Sequence, residues 1–86
     1  MTPYEVLISK TARKQLAALP ALVHDKIIEN ISELSASPRP VGCKKIKGQK
    51  NVWRIRVGNY RVIYEVENKI LHIMIIAIGH RKDIYD

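Results

Sequence analysis

The sequence predicts an α+β domain in which an N-terminal strand and a helical hairpin pack on a mainly antiparallel β-sheet. Three observations carry that expectation. Between residues 53 and 64, the apolar Trp53, Ile55 and Val57 alternate with Arg54 and Arg56, Gly58-Asn59 follows, and Tyr60, Val62 and Tyr64 alternate with Arg61 and Ile63. Alternation of period two marks strands, and a Gly-Asn connection tolerates the positive φ angles of a tight primed turn. Val23, Ile27, Ile31 and Leu34 recur at three- and four-residue spacing, the stripe of an amphipathic helix. Residues 71–78 are almost continuously apolar, as in an interior strand covered on much of both faces.

Taken in order, residues 4–8 read as a first strand. Ser9 or Thr11 then caps a helix through about Leu19, with Ala12, Leu16 and Leu19 on one stripe. Pro20 closes that helix and suits the opening turn of the next, where its missing N–H costs nothing. The second helix runs to about Ser35, with His24, Lys26, Glu29 and Glu33 on its other faces. Ser37-Pro38-Arg39-Pro40 is extended, because a residue before proline avoids the α region. Further strands are predicted over 43–47, 52–57, 60–66 and 71–78, giving the order β-α-α-β-β-β-β.

The Gly58-Asn59 turn fixes the hairpin register. It sets Val57 against Tyr60, Arg56 against Arg61, Ile55 against Val62, Arg54 against Ile63 and Trp53 against Tyr64. Trp53, Ile55, Val57, Val62 and Tyr64 then face the helices, and Arg54, Arg56 and Arg61 line the uncovered face. Directly opposed like charges destabilise an antiparallel pair by up to about 1 kcal/mol, so something anionic is expected to offset them.

With 86 residues and 47% hydrophobic content, the chain supplies one modest core, and residues 1–86 read as a single domain. The lone Cys43 excludes an internal disulfide framework, shows no metal-ligand spacing and reads as a small buried hydrophobe. The N-terminus carries no signal-peptide pattern, and the longest apolar run, residues 73–78, is too short to span a bilayer, so a cytoplasmic protein without a membrane partner is expected. The net charge is +7, and residues 34–64 hold no Asp or Glu but eight basic residues: Arg39, Lys44, Lys45, Lys47, Lys50, Arg54, Arg56 and Arg61. An uncompensated basic block is the footprint of a polyanionic partner, nucleic acid first and an acidic protein second. Lys44, Lys45, Lys47 and Lys50 are candidates for RNA binding by electrostatic steering.

Taken together, the Ser37-Pro38-Arg39 linker, Lys45-Ile46-Lys47-Gly48, the arginine hairpin with Gly58-Asn59-Tyr60-Arg61-Val62-Ile63-Tyr64, and the closing Gly79-His80-Arg81-Lys82-Asp83-Ile84-Tyr85 resemble the RelE branch of the RelE/ParE toxins. The resemblance covers nearly the whole chain. It implies the RelE-like fold and a toxin that enters the ribosomal A site and cleaves mRNA there without a cofactor or metal. It also implies a cognate antitoxin encoded beside it, in a hetero-oligomeric complex. In the implied chemistry the ribose 2′-OH attacks the adjacent phosphorus and the 5′-oxygen leaves. That requires a base, positive charge on the developing phosphorane and an acid.

Carried over by position, Arg54 and Arg56 correspond to the basic residues of the hairpin's first strand, and Arg61 to the arginine after Gly-x-Tyr. Arg81 corresponds to the leaving-group stabiliser or acid, and Tyr85 to a stacking or orienting residue. Forked guanidinium donors suit phosphate oxygens, but arginine is a poor base where the best-known members carry lysine. Imidazole is the side-chain type suited to proton transfer near neutral pH, and His80, beside Arg81, is either that base or a loop histidine with a structural partner. His72 is expected near Glu65 if Asn68-Lys69 forms a two-residue turn, His24 on a helix surface, and Trp53 in the core rather than on a base-stacking platform. Two alternatives stand beside this one: a ParE-like DNA gyrase inhibitor, which shares the fold but has no evident use for the arginine constellation with Arg81 and Tyr85, and a non-catalytic RNA-binding module.

Overall fold

A computed structural model describes residues 3–80 and contains β1 (Glu5–Ile8), α1 (Lys10–Ala17), α2 (Ala21–Leu34), β2 (Lys44–Lys45), β3 (Val52–Val57), β4 (Tyr60–Glu67) and β5 (His72–His80). The sheet order is β1-β5-β4-β3-β2, antiparallel except where β1 runs parallel to β5. The expected α+β arrangement therefore holds, with β5 in the interior of the sheet.

Ser9 ends β1 and starts α1. Its Oγ accepts from Ala12 N at 3.1 Å as the helix cap and donates to the Ile76 carbonyl at 3.0 Å. β1 stops at Ile8, so β5 would be left with an open edge above it. There Gln15 Oε1 takes the Ile78 N–H at 2.6 Å, and a side chain of α1 replaces a strand partner. Pro20 is the N-cap of α2, and the Ser35 hydroxyl donates to the Tyr4 carbonyl at 2.7 Å, tying the end of that helix to the start of β1.

The core lies between the helix pair and one sheet face. Ile27, Ile31 and Leu34 of α2 and Ala12 and Leu16 of α1 cluster with Ile55, Val57, Val62, Tyr64, Val66, Ile73, Ile75 and Ile78. Their near-complete burial is the main favourable term for a chain this short. Trp53 is half-buried and packs against this cluster.

Three expectations need correction. β2 shrinks from five residues to Lys44–Lys45, because the chain turns on both sides of it, with Gly42 at φ 92° before and Gly48 at φ 80° and Asn51 at φ 58° after. The β4–β5 connection is longer than two residues, with Leu71 at φ 54°, so His72 registers with Glu67 rather than lying beside Glu65. Its Nε2 lies 3.9 Å from a Glu5 carboxylate oxygen on β1. Cys43 is half-buried beside the core rather than inside it.

Candidate nucleic-acid interface

The hairpin register matches the expected one at all five pairs, from Val57 with Tyr60 to Trp53 with Tyr64. In a two-residue hairpin the pair next to the turn exchanges both backbone hydrogen bonds. Arg56 and Arg61 are therefore a non-hydrogen-bonded pair, the kind whose Cα atoms approach to about 4.5 Å. Their side chains leave the sheet side by side on the face away from the helices. Arg56 is exposed and Arg61 half-buried.

Arg54 departs from the expectation that all three arginines line an open surface. It lies on the same face but is only 2% exposed, the one buried charged residue among those described. Its place accounts for part of this. Arg54 sits in mid-strand between Lys44 of β2 and Ile63 of β4, with Val52 and Arg56 along its own strand. Period-two alternation specifies which face a residue takes, not how deeply it lies.

His80 is the last residue of β5, not a loop residue, and registers with Tyr60. The two rings meet edge to face at a centroid distance of 5.4 Å. Tyr60 and Ile78 pack on the helix side, and alternation puts His80 on that side too, across the sheet from the arginines. Lys44, Lys45, Lys47 and Lys50 are all exposed, on β2 and the loop after it. His24 is half-buried on α2, with Nδ1 3.1 Å from the Asp25 carboxylate. Arg81 and Tyr85 lie outside the described residues.

The linker after α2 is more firmly attached than its composition suggests. The Tyr64 hydroxyl donates to the Pro38 carbonyl at 2.7 Å, and Arg39 donates to Asn68 Oδ1 at 3.1 Å, an oxygen that also accepts from the Tyr4 hydroxyl at 2.9 Å. The Arg39 guanidinium lies 5.2 Å from the centre of the Trp53 ring, a cation–π contact that covers the indole. Burial, and then Cys43 beside it, push the Tyr64 phenol well above the ordinary tyrosine range. Alternation in the sequence assigns Tyr64 to the core, where it lies. Nothing in the sequence showed that its hydroxyl fastens the linker.

A family model described as the ParE toxin of type II toxin–antitoxin systems matches residues 6–85. Toxin RelE3 of Methanocaldococcus jannaschii is 40% identical over 86 residues, covering 95% of this chain and 96% of that protein. The chain belongs to the RelE/ParE toxin family. Within it the similarity runs to RelE proteins. Toxin RelG of Mycobacterium tuberculosis is 31% identical across 96% of this chain and 97% of its own length. The archaeal RelE–RelB complex from Pyrococcus horikoshii superposes with a TM-score of 0.83 at 32% identity, covering 98% of this RelE-like chain and all of the matched one. Among the described residues of this family member, no helix is long and apolar enough to cross a membrane.

Proposed function

We propose that this RelE-like chain is a ribosome-dependent endoribonuclease that cleaves mRNA in the ribosomal A site and is neutralised by a cognate antitoxin. The observation that carries this reading is the side-by-side placement of Arg56 and Arg61 on the sheet face away from the helices. Two guanidinium groups at that spacing can share the non-bridging oxygens of one phosphate and stabilise the charge that grows as the ribose 2′-OH attacks phosphorus. Arg54, buried behind them, acts on this reading as a positioning residue. The exposed lysines 44, 45, 47 and 50 draw the protein to ribosomal RNA.

Arg81 supplies the leaving-group role and Tyr85 the stacking role in this proposal. His80 is the candidate base, acting from the end of β5. A ring held against Tyr60 on the helix side needs the ribosome-bound substrate to come round that end, and the dependence on ribosomal orientation fits this need. The antitoxin follows from the RelB–RelE complex of the similar P. horikoshii protein and from the acid-free basic block.

Primer extension on translated and untranslated copies of one message tests the reading. Cuts within ribosome-occupied codons of the translated copy alone are expected. Equal cutting of both copies would overturn the ribosome dependence. The ParE description of the family model favours one second reading, gyrase inhibition, which predicts intact mRNA with DNA breaks.

A further inference from the structure

At the end of the sheet opposite the Gly58-Asn59 turn, a cleft of about 450 Å³ lies between the start of β1, the C-terminal end of α2 and the linker. Pro3, Tyr4, Ala36 and Pro38 give it apolar walls, and Arg39 is its charged member. Arg39 is exposed, yet its guanidinium is held from two sides. It lies over the Trp53 ring, 5.2 Å from the centre, and donates to Asn68 Oδ1 at 3.1 Å, an oxygen that the Tyr4 hydroxyl also reaches at 2.9 Å. Both partners are neutral, and the surrounding stretch 34–64 contains no carboxylate side chain. The cation is thus fixed in place without being compensated. Lys45 registers with Trp53, so its exposed side chain leaves the sheet on the same face as the indole and adds a second positive charge there.

We propose that this cleft binds one purine nucleotide unit, its base against the Arg39 guanidinium and its phosphate towards Lys45, on the helix side of the sheet away from Arg56 and Arg61. A planar, delocalised cation stacks on a nucleobase as it does on an aromatic ring, and unpaired RNA bases are recognised by such stacking. The indole and Asn68 hold the guanidinium before the base arrives, so little ordering remains to be done on binding. The cleft has the volume of a small-ligand site, and its proline and tyrosine rings cover a flat base in a way that a carboxylate side chain cannot use. A second copy of this chain is a poor occupant, because each carries a net charge of +7. A free purine nucleotide and an unstacked purine of an RNA strand share this chemistry. Ribosomal RNA as the source rests on the functional reading above, whereas recognition of the base does not.

The test titrates ¹⁵N-labelled full-length protein with 2′-O-methyl triadenylate, which cannot be cleaved by 2′-OH attack, and with an abasic strand of the same length and charge. Trp53 is the one tryptophan of the chain, so its indole N–H gives a single signal that reports on the guanidinium above the ring. Shifts at that signal and at residues 4, 35–39 and 68 are expected, with the abasic strand binding about tenfold or more weaker. Arg39→Lys keeps the charge but loses the stacking plane, and should cost about tenfold in affinity for triadenylate and nothing for the abasic strand. Ser37→Glu, an acid at an exposed position lining the cleft, should weaken triadenylate binding by about fivefold. Adenosine 5′-monophosphate separates the sources: affinity equal to triadenylate supports the site with a free nucleotide, and affinity about tenfold or more lower supports it with RNA. Equal binding of triadenylate and the abasic strand would overturn the proposal, as would shifts confined to residues 54–61 or an unchanged affinity in folded Arg39→Lys. A blocked triglutamate peptide that gives the same shifts at equal or higher affinity would overturn it in favour of an acidic protein. None of these readouts involves RNA cleavage, so failure of the cleft and failure of the nuclease reading appear in different assays.

Discussion

Tyr64→Phe isolates one hydroxyl whose effect can be worked out in advance. The ring is completely buried and would stay in the core, while the 2.7 Å bond to the Pro38 carbonyl is lost. A net hydrogen bond contributes about 0.5–1.5 kcal/mol, and the part-buried carbonyl left behind adds to that, so a loss of about 1–2 kcal/mol is expected. For a chain of this size that lowers Tm by roughly 5–10 °C. The pH dependence gives a second signature. The folded-state pKa of Tyr64 lies above its unfolded value of about 10, so the folded protein holds the phenolic proton more tightly. That contribution is fully present below about pH 10 and is lost as pH rises towards the folded value. Phenylalanine has no proton to lose, so the stability gap between wild type and variant should narrow above about pH 10. Thermal melts at neutral pH and denaturant titrations across the alkaline range measure both effects. A variant Tm within about 1 °C of wild type, or a gap that stays constant through the alkaline range, would refute the assignment.

The remaining predictions concern the arginine face and the β5 edge. Arg56→Ala should leave stability unchanged or raise it by a few tenths of a kcal/mol by relieving the pair with Arg61, while lowering single-turnover cleavage on programmed ribosomes by about a hundredfold. An unchanged rate would remove Arg56 from the phosphate site. Arg54→Ala should instead destabilise the fold by about 2 kcal/mol or more, because a buried side chain loses both packing and its polar contacts; a denaturation midpoint equal to wild type would contradict that. Gln15→Ala removes the acceptor of the Ile78 N–H, and should cost about 1 kcal/mol and speed hydrogen exchange at Ile78; an unchanged exchange rate there would mean the bond is not formed. His80→Gln asks whether imidazole is the base, which would leave its own ionisation in the wild-type pH–rate profile alone. An unaltered rate and profile in the variant would exclude it.

The hairpin was legible to the residue because a two-residue turn leaves no freedom in register, and every pair from Val57 with Tyr60 to Trp53 with Tyr64 follows from it. The helices were legible because their apolar stripes have somewhere to go. Other features depend on partners distant in sequence. A four-residue run reads as a strand whether it pairs parallel or antiparallel, so the parallel β1–β5 contact was hidden in residues 5–8. The β4–β5 register was hidden because Leu71 adopts φ 54°, a conformation rare for leucine, and because the ladder slips near Ile63 and Tyr64. At the candidate site, alternation gave the correct face for Arg54, Arg56 and Arg61 but not the depth of Arg54. The apolar run that marks the last strand ends at residue 78, which leaves His80 in a loop, yet β5 continues through Gly79 to His80.

Where α1 completes the edge of β5, Ser9 and Ile76 bond across 67 positions of chain. During synthesis at about 5–20 residues per second, the first strand and both helices are complete roughly 2–8 s before that contact can form. At the start of that interval Ile27, Ile31 and Leu34 have no sheet to cover them, and β5, the interior strand they pack on, is the last element made. Folding of this family member is thus tied to the end of translation rather than to its progress, as expected for a sheet whose interior strand β5 is the last to be made. Nascent chains stalled before Ile73 emerges should be digested by protease as readily as an unfolded polypeptide, and protection should rise sharply only once His80 has cleared the ribosome.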